Sequence, residues 1–136
     1  MKHGSHVLAH WSKLQGKIAP SSGEAELFSS NVGLSAFAGI VNLARELRGS
    51  DFAEGRLSHY VDVSACKGIL LRRGAGALKH LVVRDLWGQS MVKQYGIVVN
   101  KIPRSENPAD VLASACAPVD FEHHLAQLAI VFKVIK

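Results

Sequence analysis

His59-Tyr60-Val61-Asp62-Val63-Ser64-Ala65-Cys66-Lys67-Gly68 changes its period halfway along. From His59 to Val63 the residues alternate, with Val61 and Val63 on one face and Tyr60 and Asp62 on the other, as in a strand entering a sheet. Ser64 to Arg73 reads as a short helix ended by Gly74 and Gly76. A carboxylate, Asp62, is thereby expected near a strand end, immediately before a helix.

Upstream, Ser21 followed three residues later by Glu24 forms a capping box, in which the serine oxygen accepts from a free backbone N–H and the glutamate reaches back. Leu27, Leu34, Phe37, Val41 and Ala44 then make one apolar stripe at helical spacing, with Gly49 as terminator. Before this helix, Val7 to Trp11 is compatible with a strand, and Gly16, Pro20, Ser21 and Ser22 mark a turn. Downstream, the pattern predicts a helical stretch from Leu78 to Gln94 and a β-branched strand from Ile97 to Ile102 stopped by Pro103. Asn107 and Pro108 introduce a last helix carrying Asp110, Leu112 and Ala113. Strand, helix, strand, helices, strand, helix is the order of an α/β sheet with helices packed on it. Beyond Val119 two readings stay open: a helix with Leu125, Leu128 and Phe132 as its stripe, or a strand over Ile130 to Ile135.

At 136 residues, 48% hydrophobic and 20% charged, the chain suits one domain and excludes wholesale disorder and collagen-like classes. No consecutive apolar run approaches the ~20 residues of a membrane span, so none is expected. Met1 to His6 begins with a base but lacks the apolar core of a secretory signal, so an intracellular protein is expected. Cys66 and Cys116 belong to no Cys-x-x-Cys pair and read as reduced core residues. The net charge is +5, yet Asp62 to Arg104 alone holds eight bases against two acids. That concentration is the footprint of a binder of phosphate backbones.

Three carboxylates occupy places where fixed elements can converge: Glu26 in the first turns of the capped helix, Asp62 near the strand end, and Asp110 in the first turn of the last helix. Hard oxygen ligands of this kind suit magnesium or manganese, and two such ions can activate water for attack on a phosphodiester. His3, His6 and His10 read as a solvated face, since imidazole is a poor magnesium ligand. Trp11 and Trp87 have the ring faces to stack on bases, although isolated tryptophans more often pack in cores or interfaces.

The same residues carry a resemblance. Trp11-Ser12-Lys13-Leu14-Gln15 and Ser21-Ser22-Gly23-Glu24-Ala25-Glu26-Leu27 resemble the Trp-Ser...Gln and Ser-Ser-x-Glu-Ala-Glu segment of the ribonuclease H domain that ends copia-type retrotransposon polyproteins. Asp62 to Gly68 is similar to that family's Asp strand and following helix, Lys79-His80-Leu81 to its Lys-His-Ile motif, and Asn107-Pro108-Ala109-Asp110 to its Asn-x-Ala-Asp motif. The motifs occur in the family's order from Trp11 to Asp110.

The resemblance implies a ribonuclease H-like mixed sheet flanked by helices, and magnesium-dependent hydrolysis of the RNA strand of an RNA–DNA hybrid during reverse transcription, with manganese as an alternative ion. Glu26, Asp62 and Asp110 would be catalytic metal ligands, with Glu24 left to the cap. Lys67, Arg72, Arg73, Lys79, His80 and Arg84 would contact nucleic acid. The expected organisation is a remnant strand region over 1–10, the ribonuclease H-like domain over 11–113 and a tail over 114–136. The family also has an Asp on the first strand of its sheet, whereas this chain has no Asp or Glu before Glu24. The Trp-Ser to Gln spacing is one residue short, and Val63 stands where the family commonly has a small polar residue. These departures read as a domain lacking its first strand or strands. Two function classes follow: a nuclease with an impaired centre, and a catalytically silent remnant that binds nucleic acid through its basic stretch.

Overall fold

The computed structural model describes residues 1–3, 6–48, 57–78, 80–112 and 118–128. The chain is a mixed helix and strand protein that divides into two compact units, Gln15–Lys101 and Met1–Leu14 with Ile102–Lys136.

The Gln15–Lys101 unit contains helix α1 (Ser22–Arg48), strand β3 (Ser58–Val61), helix α2 (Ser64–Leu71), helix α3 (Trp87–Gln94) and strand β4 (Val98–Lys101). Strands β3 and β4 pair in parallel, with Ser58 opposite Val98 and Val61 opposite Lys101. Val61 and Val99 point into a core completed by Leu27 and Leu34 of α1, Cys66, Ile69 and Leu70 of α2, and Val92 of α3. The stripe predicted for α1 is the buried one: Leu27, Leu34 and Val41 are buried, while Phe37 packs half-buried against the core. Gly23 lets the start of α1 approach α2 closely, because a Cβ there would stand 2.8 Å from Ala65 Cβ.

The capping box forms with one change. Ser21 Oγ accepts from the Glu24 backbone N–H at 3.3 Å, but the glutamate turns to the serine hydroxyl, which donates to Oε1 at 2.9 Å. Although its apolar residues are interrupted by small and polar ones, α1 is long and apolar enough by length and composition to cross a membrane. Counting consecutive apolar residues missed this property. In the fold Leu27, Leu34 and Val41 of this helix are buried in the core, while Val32, Leu43 and Leu47 are exposed.

Downstream of α2 the helix predicted over Leu78 to Gln94 is shorter. Gly74 and Gly76 adopt φ of 74° and 60°, and Val82 is extended, so helix resumes only as a 3-10 turn over Val83–Leu86 leading into α3. Gln89 ties this region together: its Nε2 donates to the carbonyls of Ile69 and Gly74, and its Oε1 accepts from the Gly74 N–H. Lys17 pairs with the buried Asp85, and its ammonium lies 5.0 Å from the centre of the Phe28 ring.

The second unit opens with β1 (Lys2–His3) and β2 (His6–Val7), an antiparallel pair. The strand expected over Val7 to Trp11 thus ends at Val7, where hydrogen bonding passes to the N-terminus: the Met1 amino group donates to Ala9 and the Leu8 N–H to Met1. The helix expected at Pro108 is a 3-10 turn, Pro108–Leu112, following another over Arg104–Glu106. Asn107 Oδ1 accepts from the Ala109 N–H at 3.2 Å, a side-chain bond that favours a turn over a continuing α-helix. Helix α4 (Pro118–Leu128) carries Leu125 and Leu128 of the helical reading of the tail, while Phe132 and the alternative strand over Ile130 to Ile135 lie outside the described residues. Gly49, Lys79, Ala113, Cys116 and 129–136 lie outside the described residues.

Candidate functional site

Glu26 and Asp62, thirty-six positions apart, are brought together. Glu26 sits in the second turn of α1 and Asp62 one residue past the end of β3; the Asp62 backbone N–H donates to the Glu26 carboxylate. Burial pushes the Glu26 carboxyl above its ordinary value, the Asp62 charge pushes it further, and the backbone hydrogen bond opposes both. Asp62 Oδ1 is buried with no hydrogen-bond partner among the described residues. Two like-charged groups in contact, one with an unsatisfied oxygen, are costly unless a proton or cation joins them.

The donor chemistry fits a divalent cation. Magnesium is held by one or two carboxylates, with waters and phosphate oxygens completing its shell, and Glu26 with Asp62 supplies that number of hard oxygens. No group of three or more His, Cys, Asp or Glu able to hold a metal occurs among the described residues. Asp110 lies in the other unit, where Arg104 Nε donates to both its carboxylate oxygens at 3.2 and 3.1 Å.

Beneath the pair lies a polar cluster that sequence reasoning passed over. Ser30, one helical turn beyond Glu26, contacts His59 Nε2 at 3.0 Å and Cys66 Sγ at 3.6 Å. Burial depresses the His59 imidazole, favouring its neutral form. Burial and the nearby Glu26 and Asp62 charges push the Cys66 thiol up to about 11, against a hydrogen bond with Ser30 that lowers it. The available signal was the four-residue spacing of Glu26 and Ser30 on the core-facing side of α1. This inert environment has a direct expectation: in a Cys116→Ser background, iodoacetamide at pH 8 labels Cys66 more than tenfold more slowly in the folded chain than in urea. Mass spectrometry of timed samples checks it, and equal rates would mean that the thiol is accessible and ionised.

The basic residues separate by environment. Arg73 and Arg84 are exposed and Lys67 is half-buried. Arg72 instead donates to the Ala75 carbonyl and packs against Gly76. His80 is turned inward at one end: its Nε2 lies 2.6 Å from Glu24 Oε2, with Glu24 only 2% exposed. The bond from His80, aided by that from Ser21, holds the Glu24 carboxyl below its ordinary value despite burial. Glu24 thus closes the start of α1 against the segment carrying His80. No family model matches the sequence, and comparisons with curated proteins and with solved structures return no match.

Proposed function

We propose that this chain is a ribonuclease H-like domain of the copia retrotransposon type, acting on the RNA strand of RNA–DNA hybrids with magnesium or manganese. The observation that carries this reading is the meeting of Glu26 and Asp62. Those are the helix-borne and strand-borne acids named by the resemblance, and two elements distant in sequence deliver them to one place. When bound, the cation supplies an activated water and offsets charge on the departing oxygen. Glu26 and Asp62 would hold it, the Asp62 N–H orients Glu26, and Lys67, Arg73 and Arg84 offer cations to the phosphates. The α/β arrangement, with its parallel pair and flanking helices, is compatible with a ribonuclease H-like sheet.

The test is cleavage of a labelled hybrid by purified chain in magnesium and then in manganese, beside Glu26→Gln. Metal-dependent cleavage that the substitution abolishes supports the reading; cleavage that survives it, or that needs no metal, overturns the assignment of the site. The second reading, binding without cleavage, is favoured by the Arg104–Asp110 pair, which engages both oxygens of the third acid. It predicts hybrid affinity that falls steeply with salt in a folded chain that does not cut.

A further inference from the structure

On the side of α1 away from Glu26, the helix and the segment leading into α3 flank an open, shallow groove of about 630 Å³ lined by Asn31, Val32, Ser35, Ala36, Arg84 and Trp87. From α1 it is lined by Val32, Ser35 and Ala36, and from the segment leading into α3 by Trp87, 38% exposed, and the exposed Arg84. Arg84 has no ion pair among the described residues. Its neighbour Asp85 is buried and neutralised by Lys17, so the positive charge at the groove is uncancelled.

We propose that this groove binds one unpaired nucleotide, with its base stacked on Trp87 and its phosphate on Arg84. A partly exposed indole and an exposed guanidinium lining one groove match a ligand that is flat and aromatic at one end and anionic at the other. In a duplex the base faces are covered by one another, so a lone tryptophan finds a base only where the strand is single. The inference rests on the nucleic-acid reading above and adds to it a preference for single-stranded ends or gaps at a place separate from Glu26 and Asp62.

The experiment uses a Trp11→Phe background, in which Trp87 is the remaining tryptophan. Short oligo(dT) and oligo(U) are titrated at low salt beside an abasic strand of equal length and a blunt hybrid. Saturable quenching of Trp87 by a base-bearing single strand, weak with the abasic strand and with the blunt hybrid, is the expected result; dT against U shows which sugar is preferred. With labelled oligo(dT), Trp87→Leu binds about tenfold more weakly and Trp87→Phe stays close to the parent, as expected for loss and retention of one stacking contact. Circular dichroism establishes that both variants are folded. Equal binding of the abasic strand, unchanged affinity in Trp87→Leu, or emission that shifts with protein concentration alone, as when a second copy fills the groove, would overturn the proposal. Hybrid cleavage lost on Glu26→Gln with the quenching intact leaves this site standing, whereas cleavage intact without quenching removes this site alone.

Discussion

Asp62→Asn lowers hybrid cleavage by about a hundredfold or more and at the same time raises the stability of the chain at pH 7. The first effect follows from the charge that holds a divalent cation. Loss of a group that merely supports a ligand costs roughly 10–100-fold, and in the function proposed above Asp62 would be a ligand itself. The second effect follows from its neighbour. Glu26 has its folded-state pKa raised above the ordinary 4.5, so the folded chain binds the proton more tightly than the unfolded one. That advantage is full below about pH 4.5 and is lost as pH rises through the raised value, leaving a strained carboxylate at neutral pH. Burial is the larger cause and persists in the variant. The Asp62 charge is the second cause and disappears, while a neutral amide is cheaper to bury than a carboxylate with an unsatisfied oxygen. Urea unfolding across pH 4 to 8 should therefore show the variant overtaking the parent toward neutrality. A variant that is less stable at pH 7, or that cuts as well as the parent, would mean that the two acids are not an opposed pair in a metal site.

Gly88→Val costs about 3 kcal/mol of unfolding free energy, near the upper end for forcing volume into a packed interior. Gly88, in the first turn of α3, is where that helix meets α1 and α2. A Cβ there would overlap Asn31 Oδ1, stand 2.9 Å from Leu70 Cδ2 and lie 3.3 Å from Leu34 Cδ1. None of these neighbours is free to yield. Leu34 and Leu70 are 1% exposed, and Asn31 is fixed by donating to the Asp85 carbonyl at 2.8 Å. The expected readout is a lower urea midpoint at unchanged slope. Gly88→Ala should lose less, and Leu70→Ala added to Gly88→Val should cost less than the two single changes together, because the second opens room for the first. Strict additivity would show that the close approach is not what Gly88 provides.

The sequence carried the elements whose signals are local and repeated. Ser21 and Glu24 marked the start of α1, and seven-residue recurrence of Leu27, Leu34 and Val41 marked its buried face. Alternation around Val61 marked β3, and Gly74 marked the end of α2. Boundaries set by tertiary contacts were illegible: nothing local says that helix must wait past an extended Val82 so that Gly88 can lie against Asn31. Nor does the pattern at Pro108 distinguish a 3-10 turn from the first turn of an α-helix, since both begin with the same orphan N–H groups. At the site, Glu26 and Asp62 were readable because each sits at an element end. Arg104's hold on Asp110 and Glu24's on His80 depend on side-chain reach between segments, which residue spacing does not encode.

The parallel pairing of β3 with β4 has a kinetic consequence. Ser58 meets Val98 across about forty intervening positions, so their pairing closes a long loop, whereas α1, α2 and α3 each form from neighbours in sequence. Asp62 follows the end of β3 by one residue, and its approach to Glu26 closes a long loop of its own, so the carboxylate pair is expected to form late. A partly folded form in which this loop is open would hold the two acids apart, and a cation bound by the pair, as in the function proposed above, would favour closure by mass action.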